Sequence, residues 1–314
     1  MVHGTYDVFW KARAISNNLR DMRPAMMTVG GWFDAENLYG ALHVYDAIER
    51  QSPRDAQNTL VIGPWFHGGW SRSSGDRLGQ MRFGSETATW YNTAIELRFF
   101  NAHLKGKGTA DLPEAVMFNT GANAWREFAA WPPAAAAPAQ MYVDAGGRLT
   151  WTKPTATGDS FTEYVSDPSK PVPHTMRTTD RRSREYMVED QRFASRRPDV
   201  LVFQTEPLSE DVTVAGPIRA SLFASISGTD ADFIVKVIDV LPDDTTTPAD
   251  DECPEPLGGA EMLLRFEVMR GKFRNSYEKP EPFQPGVVTP VSLTLQDVLH
   301  TFKKGHRIMI QIQS

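Results

Sequence analysis

Asp34 and His67 are the residues of this chain whose types and placement could do acid–base chemistry. Each stands just beyond an apolar run that breaks at glycine. The runs are Ala25-Met-Met-Thr-Val-Gly-Gly-Trp-Phe-Asp34 and Thr59-Leu-Val-Ile-Gly-Pro-Trp-Phe-His67-Gly-Gly-Trp70. A carboxylate can hold an imidazole in one tautomer and stabilise its protonated form, so that the other ring nitrogen exchanges a proton with a hydroxyl. Taken singly, each residue has a plainer reading. An Asp after a strand is commonly a helix N-cap, and a His beside Gly-Gly is commonly a surface or hydrogen-bonded core residue. In this order, and at two strand ends, the paired reading is the better one.

The elements that must position them follow from the flanking pattern. Both apolar runs show little alternation, as in strands buried on both faces of a parallel sheet. Between them, Glu36 to Arg50 places Leu38, Ala41, Leu42, Tyr45 and Ile48 at three- and four-residue steps, an amphipathic helix. The unit is a right-handed strand–helix–strand crossover, with Asp34 and His67 at the carboxyl ends of its strands. That edge of an open α/β sheet is where ligands sit. Asp before His, each after a strand, is the order of the last two members of an α/β-hydrolase triad, Ser, Asp, His.

The two stretches resemble the CocE/NonD hydrolases, relatives of X-prolyl dipeptidyl peptidases. The resemblance is greatest to α-amino acid ester hydrolases and glutaryl-7-ACA acylases. Gly-Gly-Trp-Phe-Asp34 is similar to that family's acid motif, and Gly-Pro-Trp-Phe-His67-Gly to its histidine motif. The likeness continues through Phe-Asn-Thr-Gly121, Tyr-Val-Ser-Asp-Pro168, Ser-Gly-Thr-Asp230 and Lys-Gly-His-Arg-Ile-Met-Ile-Gln-Ile-Gln-Ser314. It implies a serine hydrolase working by acyl transfer on small-molecule esters or amides, most closely α-amino acid esters or amino-β-lactams. Asp34 and His67 would be two members of its triad, with no metal or organic cofactor. It also implies a carboxylate cluster that holds the substrate's ammonium group, to which Asp7 is a candidate contributor. Some relatives have two adjacent acids there, and this chain has Val8 after Asp7.

The third triad member is not found. Ser71, Ser73 and Ser74 follow His67 closely, but none has the Gly-x-Ser-x-Gly setting that projects a nucleophile, and the pattern occurs nowhere in the chain. The nucleophile and oxyanion donors are therefore expected upstream. Both ends look cut, and the missing amino-terminal half of the same enzyme is the expected partner; the isolated chain should then be inactive. Rival readings are an X-prolyl dipeptidyl peptidase or aryl esterase of the same family. Another is a non-catalytic carbohydrate-binding jelly roll using Trp125, Trp131 and Trp151. A metal hydrolase built on Asp34, His67 and Asp7 lacks a His-x-x-x-His or comparable ligand pair.

The remaining composition fits this picture. A net charge of −6 with scattered Lys and Arg argues against a nucleic-acid partner. Arg177 to Arg184 is the one basic cluster and reads as a solvated loop. No run approaches the roughly 18 apolar residues of a membrane span. The single Cys253, in an acidic Pro-rich stretch, excludes an intrachain disulfide. Compartment is not legible, and a homo-oligomer is left open. The fold class expected is α/β plus all-β. Residues 1–112 are read as the carboxyl-terminal part of an α/β-hydrolase domain. Residues 113–314, rich in short strands separated by turns, are read as a jelly-roll β-sandwich cut short at its end.

Overall fold

A computed structural model describes residues 2–53, 55–155, 160–249 and 255–314. Cys253 and part of the acidic stretch around it lie outside the described residues.

The strands in chain order are β1 (Met26–Gly31), β2 (Asn58–Gly63), β3 (Arg77–Leu78), β4 (Met81–Arg82), β5 (Ala115–Asn119), β6 (Ala124–Phe128) and β7 (Tyr142–Asp144). Then come β8 (Arg148–Thr150), β9 (Leu201–Gln204), β10 (Val212–Ala224), β11 (Asp232–Val240), β12 (Glu261–Arg270), β13 (Thr289–Phe302) and β14 (Arg307–Gln313). The first sheet has the order β1-β2-β5-β6. β1, β2 and β5 run parallel, and β6 returns antiparallel beside β5. β2 is buried along its whole length, as its unbroken apolar run requires, whereas β1 at the edge is half-buried over Met26–Val29. The helix Leu38–Gln51 connects β1 to β2 and buries Leu38, Leu42, Tyr45 and Ile48.

The β-rich part is a second layer system. A six-stranded sheet, β12-β11-β14-β9-β8-β7, faces the long antiparallel pair β10–β13. Phe203, Val235, Val237 and Leu264 from the first meet Val291, Leu293 and Leu295 from the second in one core. The runs at Val212 and Ser221, which read as separate strands around Gly216-Pro217, form one strand, β10. A bulge between Gly216 and Ile218 leaves the proline out of the ladder.

The two parts share a core, in which Trp32, Phe33, Met117 and Phe118 of the first pack with Leu299 of the second. A buried polar chain crosses the same junction. The Thr120 hydroxyl lies 2.8 Å from His300 Nδ1, and His300 Nε2 lies 3.2 Å from Asp239 Oδ2. His306 Nδ1 reaches the other carboxylate oxygen at 2.8 Å. Burial raises the Asp239 pKa, but the two imidazole hydrogen bonds outweigh it and hold the carboxyl below its ordinary value.

Two helices differ from their sequence patterns. The sequence from Tyr6 to about Leu19 reads as one helical segment, but the structure has a helical turn at Val8–Lys11 and a 3₁₀ turn at Ile15–Asn18. Consecutive asparagines at 17 and 18 form bonds to Lys11 and Ala14 carbonyls, the competition that makes Asn a poor helix interior residue. From about Ser85 the spacing of Trp90, Ala94, Leu97, Phe100 and Leu104 reads as a helix with those residues on one face, but the observed helix is turned. A π-turn over Tyr91–Glu96 adds a residue to the ladder. Tyr91, Ile95 and Phe99 become the buried face, while Leu97, Phe100 and Leu104 are exposed.

Candidate active site

The loops after β1 and β2 are stitched to each other by backbone hydrogen bonds. Trp32 N donates to Gly63 O at 2.8 Å, and Phe33 N donates to Trp65 O at 3.1 Å. This close approach explains the glycine before Trp32, because a Cβ on Gly31 would sit 2.2 Å from Trp65 O. Trp32 is pinned on its other side by its indole N–H to Phe118 O, 2.7 Å. Asp34 and His67 are thus delivered side by side at the carboxyl ends of neighbouring parallel strands.

His67 Nδ1 lies 3.2 Å from Asp34 Oδ2. Asp34 Oδ1 accepts from the N–H groups of Glu36 and Asn37, at 2.8 and 2.9 Å. The carboxylate therefore serves both readings of the sequence: one oxygen holds the turn into the helix, and the other faces the imidazole. Its side chain is 1% exposed and that of His67 37% exposed, so the acid is sealed and the ring reaches the surface. Gly68, at φ 70°, turns the chain immediately after His67.

His67 opens on a cleft of about 190 Å³, lined in part by Phe33, Glu36, Phe66, Arg72, Arg182 and Tyr186. Glu36 Oε2 is 4.0 Å from His67 Nε2, and Glu36 Oε1 pairs with Arg182 at 2.6 Å. Tyr186 packs partly against the core, and burial raises its pKa, so its hydroxyl stays a donor. Sequence reading passed over both Glu36 and Arg182. In the sequence Glu36 reads as the helix start and Arg182 as part of a solvated loop. The signal available was the carboxylate two residues after Asp34.

Asp7 is placed elsewhere. Its carboxylate accepts from the Phe9 N–H at 2.9 Å, capping Val8–Lys11, and lies 2.7 Å from His3 Nδ1. The His3 hydrogen bond lowers its pKa. It is not on the wall of the His67 cleft. The hydroxyls of Ser71 and Ser73 donate to the carbonyls of Gly68 and Gly69, and that of Ser74 to Asp76. Of the tryptophans considered for sugar stacking, Trp131 is buried and Trp125 is stacked on Trp90 within the aromatic cluster around Trp65. Only Trp151 is exposed.

Residues 107–314 match the family of the X-Pro dipeptidyl-peptidase C-terminal non-catalytic domain, and residues 1–69 match the X-Pro dipeptidyl-peptidase (S15 family). The chain belongs to the X-Pro dipeptidyl-peptidase-like CocE/NonD hydrolases. It is similar to a cocaine esterase from Rhodococcus sp. (strain MB1 Bresler), 29% identical over 99% of this chain and 52% of that protein. Among solved structures it resembles an aminopeptidase from the marine sediment archaeon Thaumarchaeota archaeon. That match has a TM-score of 0.92 and 39% identity, covering 100% of this chain and 51% of the other. An α-amino acid ester hydrolase matches with a TM-score of 0.93 and 37% identity, covering 100% and 52%. The chain spans about half the length of the curated relatives it matches.

Proposed function

We propose that Asp34 and His67 are the acid and base of a serine hydrolase that transfers acyl groups from α-amino acid esters or related amides. The 3.2 Å approach of His67 Nδ1 to Asp34 Oδ2 carries this reading. With Nδ1–H donated to the carboxylate, Nε2 is left as the base. It takes the proton of a serine hydroxyl as the oxygen attacks the ester carbonyl, then delivers that proton to the departing alcohol or amine. Water repeats the cycle and releases the acid. Asp34 stays ionised, stabilises the imidazolium and fixes its ring. The serine belongs to sequence outside these 314 residues, so the chain alone is inactive.

Glu36 supports the choice of a cationic substrate, because it places a carboxylate beside the reacting nitrogen of His67, where a substrate ammonium can donate a charge-assisted bond to it. It takes over the role that the resemblance suggested for Asp7. The β-rich part, in this reading, is a jelly-roll sandwich that completes the rim of the cleft. The aminopeptidase relative favours a second reading, in which the same pair cleaves a peptide bond.

The test joins the chain to the amino-terminal half of the α-amino acid ester hydrolase. The fusion should hydrolyse an amino acid methyl ester with a higher kcat/KM than its N-acetyl analogue, and His67→Ala should remove the activity. Equal turnover of both esters would indicate a general esterase. Faster cleavage of an Xaa-Pro peptide than of the ester would indicate the peptidase.

A further inference from the structure

The charge on the cleft wall is not that of a site for cations alone. One carboxylate, Glu36, shares the cleft lining with three arginines, Arg72, Arg182 and Arg184. Asp34, behind His67, adds a second carboxylate but is sealed from the cleft. Arg182 is committed to Glu36. Arg72 and Arg184 are different: among the described residues neither has a carboxylate partner. Two unneutralised guanidiniums on one small cleft repel each other unless an anion sits between them.

Both are also held in place. The Arg184 guanidinium lies over the Phe66 ring, 4.8 Å from its centroid, a cation–π contact that does not use up its hydrogen-bond donors. Arg72 follows His67 by five residues, at the end of the short helical turn Gly69–Arg72. Its guanidinium folds back over Gly68, and a Cβ there would meet Arg72 Cζ and Nε at 3.1 Å. A guanidinium is thus set against the residue next to His67. At roughly 30 Å³ per water, a volume of about 190 Å³ has room for about six waters. That suits a carboxylate and a few carbons of a substrate rather than a large group.

We propose that this cleft recognises a carboxylate carried by the substrate, held by the Arg72 and Arg184 guanidiniums beside His67. Planar guanidinium forks match carboxylates bidentately and so fix orientation as well as charge. The substrate class becomes an ester or amide with an anionic group near the scissile carbonyl, the ammonium on Glu36 and the carboxylate on the arginines. The inference rests on the assignment of His67 as the base, and its test has one arm that does not.

In the first arm the 314-residue chain is titrated with monomethyl succinate, with dimethyl succinate as the neutral control. Binding is read from the ¹⁵N signals of the arginine Nε and the His67 ring. Saturable shifts at Arg72, Arg184 and His67 with the monoester alone are expected. Arg72→Gln and Arg184→Gln should each weaken binding about tenfold or more, the size of one charge-assisted bond. Equal binding of the diester, no saturable binding, or unchanged binding in both variants overturns the proposal. In the second arm the fusion enzyme is compared on α-amino acid esters with and without a side-chain carboxylate. A preference for the acidic ester in KM, collapsing in Arg72→Gln, is expected. Turnover of both esters without preference overturns the carboxylate site while sparing the catalytic assignment. Turnover that survives His67→Ala overturns the catalytic assignment, and the first arm still decides the carboxylate site.

Discussion

Arg182 reaches back across 146 residues of sequence to place a guanidinium nitrogen 2.6 Å from Glu36 Oε1. The other oxygen of the same carboxylate faces His67 Nε2 at 4.0 Å. The β-rich part thereby places a positive charge against a carboxylate that stands beside His67. Both partners are about half exposed, so the pair contributes little to folding. Arg182→Ala should change unfolding free energy by less than about 1 kcal/mol. Glu36→Gln in the fusion enzyme should lower the preference for free-amine over acetylated ester about tenfold or more. An unchanged ratio of kcat/KM values would remove Glu36 from substrate recognition.

Gly31 and Gly40 make opposite predictions. A Cβ at Gly31 meets a backbone carbonyl that cannot move without pulling the His67 loop, so Gly31→Ala should destabilise by about 2 kcal/mol or more. Gly40 lies exposed inside the helix Leu38–Gln51 with nothing within 4 Å of the added carbon. Gly40→Ala should therefore stabilise by about 0.5–1 kcal/mol. Denaturant midpoints of the two variants check both signs.

Lys236 is buried on β11, donates to Gln191 Oε1 at 2.8 Å, and has its pKa pushed down by burial to about 8. Below pH 8 both folded and unfolded chains carry this proton, and the group adds no pH dependence. Between about 8 and 10.4 the unfolded chain holds a proton the folded one has lost, so stability rises with pH. The rise from this group totals about 3 kcal/mol at 1.36 kcal/mol per pKa unit. The unfolding free energy of the parent minus that of Lys236→Met should become more positive by about 3 kcal/mol through that window. A constant difference would mean that Lys236 keeps its ordinary pKa.

Much of the site was legible because it depends on local sequence. β1, the helix and β2 announce themselves through uninterrupted and amphipathic apolar patterns, and Asp34 and His67 stand at their ends. What was not legible depends on residues far apart in the chain. Arg182 lies in a basic run with no periodicity, and nothing local tells that it folds onto Glu36. Asp7 had only its resemblance to recommend it, and its near neighbours His3 and Phe9 claim its carboxylate. The inward face of the helix after Ser85 departs from its apolar spacing because a π-turn shifts the period partway along, which spacing cannot encode. β5 was read as the opening run of the β-rich part; it pairs instead with β2, since partner choice is a tertiary matter.

A fluorophosphonate probe should leave the 314-residue chain unlabelled. Ser71, Ser73 and Ser74 spend their hydroxyls on nearby carbonyls and a carboxylate, and none is bonded to His67. Activation of a serine needs that bond. Stoichiometric labelling, located by peptide mapping, would supply the nucleophile from within the chain and revise the assignment.

The most direct measurement is the tautomer of His67, read from long-range ¹H–¹⁵N correlations at a pH where the ring is neutral. The account predicts a proton on Nδ1, donated to Asp34 Oδ2, and a lone pair on Nε2; Asp34→Asn should abolish that preference. A proton on Nε2 directed at Glu36, or a ring indifferent to Asp34→Asn, would contradict the pairing on which the proposed chemistry rests.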